Sequence, residues 1–228
     1  KKIGFPNSII KGGGVSDWLV TDLSDLAHWF KYNTNLTLGT GDEVDTWDSN
    51  SSSETFTVDI GKVFKNSGDL DFTTGSSGGR MDLDARWDPG TFSVYIVMRI
   101  IAASISNEEI MQNDTANFIR FNNSTTARIR IGDATNNDIT LPGSELTQNT
   151  WFVFGIEWDA STIRLYQDTD YATPTTASDS DTFAGLAKIG LRGNPFDGQI
   201  REVVLINDVL SSSDRENLMT HLISIRDI

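Results

Sequence analysis

Acidic side chains are the first candidates for chemistry in this chain, because two carboxyl groups can act together as nucleophile and general acid. Glu157 and Asp159 stand two residues apart in the stretch EWDAST. A retaining glycoside hydrolase needs two carboxyl groups about 5–5.5 Å apart. Here Asp159 falls at a turn, and Thr162 stands where a second glutamate would be needed. We therefore predict a structural role for this strand and assign no catalytic residue to it.

No other pattern in the sequence indicates catalysis. Glu108 and Glu109 are adjacent, so on an extended chain their side chains point to opposite faces. The only histidines are His28 and His221, and no Gly-x-Ser-x-Gly motif is present. The absence of cysteine excludes disulfides, cysteine-bound zinc and a thiol nucleophile. The sequence predicts that the protein is not an enzyme.

Aspartates are the candidate ligands for a metal ion, and Ca²⁺ is an ion that prefers oxygen ligands. The stretch MDLDARWDPG contains Asp82, Asp84 and Asp88. Aspartates within residues 42–48 and 168–170 offer two alternative groups. None follows the twelve-residue spacing of an EF-hand, and each group could instead serve to keep a loop soluble. Calcium at Asp82, Asp84 and Asp88 is the cofactor prediction.

Aromatic side chains are the candidates for saccharide binding, since their rings stack on the apolar faces of pyranoses. The chain has six tryptophans, and most are expected between the sheets of the fold. Trp87 lies in the turn-forming stretch ARWDPG, and we predict that its side chain is exposed. Tyr95, Arg99 and Arg120 lie on predicted strands and are assigned, with Trp87, to a carbohydrate-binding site. Whether they share one face depends on strand register.

Short β-type segments separated by Gly, Asn, Asp and Ser clusters recur through the chain, at the spacing typical of a sandwich. The clearest predicted strands are residues 91–102, 117–122, 127–131, 151–159, 162–167 and 196–206. Both faces of residues 91–102 are apolar, which predicts a central strand. Residues 151–159 and 162–167 predict a hairpin, because turn-forming residues separate them. The fold class is therefore all-β, an antiparallel β-sandwich.

One helix is predicted, at the C-terminus. Ser213 and Glu216 have the spacing of a capping box, and apolar residues recur at helical spacing from Leu218 to Ile223. At the other end, residues 1–25 combine a glycine triplet with scattered apolar residues, which is typical of an arm that docks onto a body. The sequence thus predicts an N-terminal arm followed by a sandwich domain over residues 26–228 that ends in one short helix.

The charge balance limits the partners of the protein. The chain has 18 basic and 32 acidic residues, a formal net charge of −14. Such a field repels phosphate backbones, so nucleic acid is not an expected partner. No segment approaches the roughly 20 apolar residues that span a bilayer, so membrane insertion is not expected either.

Three segments, in order, resemble the concanavalin A-like (laminin G-like) lectin and glucanase superfamily. They are residues 26–52, with Trp29 and Trp47; residues 149–168, a tryptophan-led hairpin; and residues 186–222, which end in the helix. The resemblance implies a jelly roll of two curved sheets whose concave face or rim binds a ligand, often a saccharide and sometimes with Ca²⁺. It does not fix one function, because lectins, hydrolases, lyases, adhesion modules and phage virion proteins share this shape.

The sequence leaves two main functions open. The first is a non-enzymatic module for carbohydrate recognition, used for adhesion to a polysaccharide or glycan surface. The second is a structural unit of a virion, in which residues 1–25 hold a neighbouring subunit. A divergent polysaccharide-degrading enzyme is a third alternative; it is disfavoured because Arg128-Ile129-Arg130 lacks the glutamate that the lyase motif of the superfamily has between its arginines. The first two predict a location on a virion or at a cell surface, and both are compatible with a homo-oligomer.

Overall fold

The computed structural model describes residues 18–31, 33–67, 69–73, 78–113, 117–132, 135–190 and 196–228. Within these ranges the chain forms mainly β-strands. The strands are β1 (Leu26–Phe30), β2 (Leu36–Leu38), β3 (Val44–Asp48), β4 (Thr55–Ile60), β5 (Phe64–Asn66), β6 (Asp69–Asp71), β7 (Arg80–Trp87), β8 (Phe92–Ile100), β9 (Glu108–Gln112), β10 (Phe118–Asn123), β11 (Thr126–Ile131), β12 (Thr135–Thr140), β13 (Phe152–Trp158), β14 (Thr162–Gln167), β15 (Thr175–Ser178), β16 (Leu186–Gly190) and β17 (Gly198–Ile206). One helix, α1, spans Ser212–Arg226, and short 3-10 turns span Val20–Asp22 and Thr40–Asp42.

The strands form two antiparallel sheets. Sheet A has the order β15-β14-β13-β8-β17-β6-β5, and β1 also pairs with β17. Sheet B has the order β12-β11-β10-β9-β16-β7-β4-β3-β2. Strand β17 lies along β8, while its other edge is divided between β6 and β1. The predicted hairpin is confirmed as β13 and β14, and the predicted antiparallel sandwich is confirmed.

The main core lies between the two sheets. Phe121 of sheet B packs against Phe152 and Phe154 of sheet A, with ring centroids 5.7 and 4.9 Å apart. Phe30 of sheet A and Phe56 of sheet B approach to 4.4 Å in the same way. Side chains alternate along each strand, so every second residue of both sheets enters this layer. Interlocking aromatic rings therefore hold the sheets together without any disulfide.

The outer face of sheet A is also buried, because α1 packs across β8, β13 and β17. A second apolar cluster includes Val97 and Val204 of the sheet with Leu218 and Leu222 of the helix. Strand β8 is thus covered on both faces, which explains why its sequence is apolar throughout. This confirms the prediction of a central strand at residues 91–102.

The helix begins earlier than its sequence predicts. Its N-cap is Ser211, whose Oγ accepts a hydrogen bond from the backbone N–H of Asp214 at 3.1 Å. The predicted cap at Ser213 is wrong by two residues. Ser211 and Asp214 are also three residues apart, so the same capping pattern occurs two residues earlier in the sequence. The predicted apolar face is confirmed by the burial of Leu218, Met219 and Leu222. No helix in the described part of the chain is long and apolar enough to cross a membrane.

Part of the predicted N-terminal arm lies against the sandwich. Val20 and Leu23 are buried in the cluster beneath α1, and Trp18 packs against it. Residues 18–25 therefore contribute to the same apolar layer as the helix. Residues 1–17 lie outside the described residues, and the division of the chain at residue 25 stays a prediction.

Gly155, in the middle of β13, makes room for a tyrosine on the outer face of sheet A. It pairs with Tyr95 of β8 on one side and with Tyr166 of β14 on the other. A Cβ atom at position 155 would lie 2.4 Å from Cε1 of Tyr95. Only glycine lets the Tyr95 ring lie over the strand, because any side chain there would overlap it.

Candidate functional site

The candidate functional site is a cleft of about 440 Å³ at the rim where the two sheets meet. We call it the rim cleft. It is lined by His28, Glu54, Ala85, Arg86, Trp87, Asp88, Pro89, Gly90 and Asn207. These residues come from β1, the approach to β4, the end of β7 with its following turn, and the residue after β17. Segments far apart in sequence therefore build the cleft, two from sheet A and two from sheet B.

Trp87 lies in the wall of the rim cleft, and it is only 5% exposed. Its ring makes edge contacts with Phe92 and Phe183 in the core, and its Nε1 donates a hydrogen bond to Oδ1 of Asn207 at 2.7 Å. The prediction that Trp87 is exposed is wrong. Trp87 is the last residue of β7 and still pairs with Leu186 of β16, so the turn begins only after it.

The other side chains of the rim cleft offer a mixture of hydrogen-bond donors and acceptors. Arg86 and Asp88 form an exposed ion pair at 3.3 Å. Glu54 accepts a hydrogen bond from the backbone N–H of Ala85 through Oε2 at 3.2 Å. Burial lowers the pKa of His28, and the charge of Glu54 opposes this only in part. A neutral imidazole both donates and accepts, so the cleft suits a ligand that is rich in hydroxyl groups.

Tyr95 does not line a ligand face, although the sequence assigned it to the carbohydrate site. It is fully buried beneath α1, and its hydroxyl donates to Oε1 of Glu157 at 2.7 Å. The error has a clear cause: both faces of β8 are apolar, so the sequence does not reveal that a helix covers one of them. The assignment of Tyr95 to an exposed surface is wrong.

Arg99 and Arg120 lie on different sheets. Arg99, on β8, donates from Nε to Oε1 of Gln199 at 2.9 Å, and its guanidinium lies 4.9 Å from the ring centre of Trp151. Arg120, on β10, lies on the outer face of sheet B. The structure therefore does not bring Trp87, Tyr95, Arg99 and Arg120 together, because β8 and β10 belong to different sheets. Saccharide binding by these residues as one site has no geometric basis.

The predicted calcium ligands are also separated. Asp82 pairs with Nε of Arg80 at 2.7 Å on sheet B, whereas Asp88 pairs with Arg86 in the rim cleft. Among the described residues, no three His, Asp or Glu side chains are grouped closely enough to hold a metal ion. The grouping of Asp82, Asp84 and Asp88 is wrong in the described structure, and calcium binding itself stays a prediction.

Glu157 is 1% exposed and cannot reach a ligand. Its Oε1 accepts hydrogen bonds from Tyr95 and from Nε of Arg215, at 2.7 and 2.9 Å. Its Oε2 accepts from Tyr166 and from Arg215 Nη2, at 3.0 and 2.7 Å. We call these four residues the Glu157 cluster. Burial, followed by the charge of Glu157, raises the pKa of both tyrosines, so they stay protonated donors.

The Glu157 cluster joins α1 to sheet A. Arg215 comes from the first turns of the helix, and Glu157, Tyr95 and Tyr166 come from three adjacent strands. Burial lowers the pKa of Arg215, but hydrogen bonds to Glu157 and its negative charge more than reverse this, so the net shift is upward. The structural role predicted for the strand of Glu157 agrees with this geometry, because every part of the carboxylate is already engaged.

Sequence analysis missed most of the rim cleft. His28, Glu54 and Asn207 are single polar residues in three unrelated segments, and only the fold brings them together. The motif ARWDPG was the one available signal, since Arg86, Trp87 and Asp88 all line the cleft. The sequence assigned Trp87 to saccharide binding and Asp88 to calcium. The ring of Trp87 is buried, however, so it offers no exposed face on which a sugar could stack.

Glu108, the first residue of β9, is a buried acid far from the rim cleft in sequence. It is 5% exposed, and its Oε2 accepts a hydrogen bond from the backbone N–H of Asp197 at 2.9 Å. Burial raises the pKa of Glu108 from 4.5 to about 7, although the bond from Asp197 opposes the shift. The folded protein therefore binds this proton more tightly than the unfolded chain does. Stability from this group is full below about pH 4.5 and falls as the pH rises to about 7.

Replacing Glu108 with glutamine should flatten this part of the pH profile. The wild type should lose at most about 3 kcal/mol of unfolding free energy from this group between pH 4.5 and 7, and the variant should not. Urea unfolding across that range measures the slope. Glu145→Gln, at an exposed position, is the control and should keep the wild-type slope. An unchanged slope in Glu108→Gln would contradict the assignment.

With the fold and its rim cleft defined, comparison with known proteins gives the class. The sequence profile of the concanavalin A-like lectin/glucanase superfamily matches residues 73–214. The chain belongs to this superfamily. Curated protein sequences yield no match to the chain.

Solved structures of low sequence identity share the fold. The binding domain of botulinum neurotoxin DC in complex with SialylT has 15% identity and a TM-score of 0.65, with 87% of this chain and 52% of that chain covered. The same domain in complex with rat synaptotagmin II has 14% identity and a TM-score of 0.62, with 87% of this chain and 52% of that chain covered. A structure of botulinum neurotoxin type C, whose cell entry depends on two ganglioside molecules, has 13% identity and a TM-score of 0.61. The match covers 89% of this chain and 52% of that chain. The chain spans about half the length of these proteins, and the likeness is one of fold.

Proposed function

We propose that this protein is a non-catalytic binding module that recognises a glycan in the rim cleft. The observation that carries the proposal is the cleft itself: about 440 Å³ lined by charged and amide side chains from both sheets. Sugar hydroxyls both donate and accept hydrogen bonds, and carboxylate, amide, guanidinium and neutral imidazole groups complement them. Because the face of Trp87 is buried, recognition would rest on hydrogen bonds more than on ring stacking.

The environment of Glu157, the acid of the predicted catalytic-type strand, supports a non-catalytic role. Glu157 is sealed in its cluster with Arg215 and the two tyrosines, so it is not available as a nucleophile. One of the similar solved structures is a binding domain in complex with SialylT, and the cell entry of another, botulinum neurotoxin type C, depends on two ganglioside molecules. Those ligands belong to those proteins; for this chain they support only the choice of glycans as the first ligands to test.

We extend the proposal to a location on a virion or at a cell surface, where such a module would meet polysaccharide. This extension rests on the sequence resemblance. Residues 18–25, the described part of the predicted arm, pack on their own sandwich, so no described contact favours the alternative in which this segment grips a neighbour.

A glycan array, read with Ca²⁺ and with chelator, tests the proposal. The double variant Arg86→Ala/Asp88→Asn should reduce binding of any glycan found by at least about tenfold, because it removes two charged hydrogen-bonding groups from the cleft. It should remain folded, since exposed ion pairs contribute only about 0–1 kcal/mol. Lys62→Ala, which removes another exposed cation paired with an acid, is the control.

Three results would contradict the proposal. Binding that is equally tight in the double variant would place the ligand elsewhere, and silence across the array in both conditions would remove the glycan. Cleavage of a bound oligosaccharide, detected by mass spectrometry, would make the protein an enzyme. Binding that occurs with Ca²⁺ and is lost with chelator would instead support the calcium prediction.

A further inference from the structure

A smaller pocket lies at the opposite end of strand β8 from the rim cleft. It measures about 150 Å³ and is lined by residues 144–147, 150–152 and 167–168. Its residue Phe152 pairs with Met98, near the end of β8, whereas Trp87 of the rim cleft contacts Phe92, where β8 begins. We call it the Trp151 pocket. It shares no lining residue with the rim cleft.

The loop that forms one side of the Trp151 pocket is fixed to both sheets. The backbone N–H of Leu146 donates to the carbonyl of Ser124, in the turn between β10 and β11 of sheet B, at 2.8 Å. The backbone N–H of Asn149 donates to the carbonyl of Ile100, the last residue of β8 in sheet A, also at 2.8 Å. Residues 147–150 are exposed. The pocket is therefore pre-formed and open to solvent.

Trp151 brings a hydrogen-bond donor to this pocket. The guanidinium of Arg201 lies 3.9 Å from its ring centre and that of Arg99 lies 4.9 Å from it, so the half-buried ring is held in place. The four buried tryptophans all donate from Nε1 to protein oxygens. No residue in the described part of the chain accepts a hydrogen bond from Nε1 of Trp151. Its indole N–H is thus available to a ligand oxygen.

Gln167 brings an acceptor, and it is the most buried polar side chain of the lining, at 3% exposure. Its Nε2 donates to the backbone carbonyl of Ser144 at 2.9 Å. This bond fixes the orientation of the amide, because the reverse orientation would place Oε1 against another acceptor. Oε1 has no hydrogen-bond partner among the described residues. An unpaired buried carbonyl is costly, and a hydroxyl that donates to it from the pocket would remove part of that cost.

Asp168 adds a second acceptor but little net charge. Its Oδ1 accepts from the backbone N–H of Val153 at 3.0 Å and from Nη1 of Arg226 at 2.7 Å, while no described group donates to its Oδ2. The ion pair with Arg226 offsets the charge of Asp168, which weakens the attraction for a cation. The exposed carboxylate of Glu145, also in the lining, repels an anion. The pocket therefore suits an uncharged ligand with several hydroxyl groups.

We propose that the Trp151 pocket is a second ligand site, which binds a single neutral sugar unit. Sugar hydroxyls both donate and accept, so one ring can donate to Gln167 and Asp168 and accept from Trp151. The pocket is smaller than the roughly 300–1,000 Å³ of sites for drug-sized ligands, which favours one sugar ring over a longer chain. This inference goes beyond the proposed function and does not require that the rim cleft binds a glycan.

An NMR titration of the whole chain with glucose, galactose, mannose and N-acetylglucosamine tests the inference. With at least one of them, the indole N–H of Trp151 and the side-chain amide of Gln167 should shift and saturate. The Kd should be on the order of 1 mM, as expected for so small a ligand. Gln167→Met keeps the size of the side chain and removes its polar atoms, so it should weaken binding about fivefold or more.

Trp151→Phe, which keeps a ring and removes the N–H, should weaken binding by a similar factor. Gln148→Met is the matched control: it makes the same change at an exposed position outside the lining, and it should leave the Kd unchanged. Thermal unfolding shows whether each variant is folded. If Trp151→Phe is not, Gln167→Met decides the result.

The outcomes separate this site from the rim cleft. No saturating shift at Trp151 with any of these sugars, or an unchanged Kd in Gln167→Met, would overturn the inference. Shifts at the indole N–H of Trp87 that disappear in Arg86→Ala/Asp88→Asn would instead place the sugar in the rim cleft, which would support the proposed function alone. Tighter binding of glucuronate or glucosamine than of the neutral sugars would overturn the choice of an uncharged ligand.

Discussion

Replacing Arg215 with alanine should lower the free energy of unfolding by about 3–5 kcal/mol. The change leaves the Glu157 carboxylate buried with two tyrosine hydroxyls but without its positive partner, at a site that is 1% exposed. For a chain of this size, a loss of that magnitude lowers Tm by roughly 6–20 °C. Urea and thermal unfolding measure both quantities.

The control for this prediction is Arg164→Ala. Arg164 pairs with Asp159 at the same 2.7 Å distance as Arg215 with Glu157, but its side chain is 30% exposed. Its removal should cost about 1 kcal/mol or less, because water screens the pair. In Glu157→Gln/Arg215→Met the buried charge is gone from both sides, so this double variant should be more stable than Arg215→Ala alone. Equal losses for Arg215→Ala and Arg164→Ala would show that the buried pair has no special role.

Gly155→Ala should strongly destabilise the fold. The added methyl would sit 2.4 Å from Cε1 of Tyr95, and a ring held between β13 and α1 has little room to move. Overpacking of this kind typically costs about 1–3 kcal/mol, and displacement of the Tyr95 hydroxyl from Glu157 adds the loss of a buried hydrogen bond of about 1 kcal/mol or more. We expect a total of about 2–4 kcal/mol in urea unfolding.

Gly90→Ala is the matched control, because a Cβ atom at position 90 meets nothing within 4 Å. It should be neutral or slightly stabilising, since alanine restricts the unfolded chain more than glycine does. If Gly155→Ala unfolds at the wild-type urea concentration, the close approach of Tyr95 is not a constraint on the sequence.

Local patterns predicted the elements well and their surroundings poorly. The central strand, the hairpin and the helix follow from alternation and helical spacing within single segments, and all three are confirmed. The cover over Tyr95 does not follow, because it comes from a helix more than 110 residues later, and a face buried by a helix has the same composition as one buried by a sheet. Trp87 was misplaced by one strand boundary, since the turn residues after it hid that β7 extends through Trp87.

The functional surfaces were harder to predict for a related reason. The rim cleft takes its polar residues from four segments, and no spacing rule links His28 to Asn207. Arg120 was identified by residue type, but its separation from Tyr95 and Arg99 depends on which strands pair in each sheet. Register and long-range pairing are properties of the assembled sheets, so a single sequence gives them only when a turn is short enough to impose them.

The position of β17 in sheet A has a consequence for how the chain folds. This strand is the neighbour of β8, β6 and β1, which all precede it by more than 90 residues. Until residues 198–206 have left the ribosome, β8 has one open edge and β1 has no partner in sheet A. Contacts between such distant segments make folding slow, and an apolar strand with an open edge can pair with other chains. Expression at low temperature or with chaperones should therefore raise the yield of soluble protein more than any change at the surface.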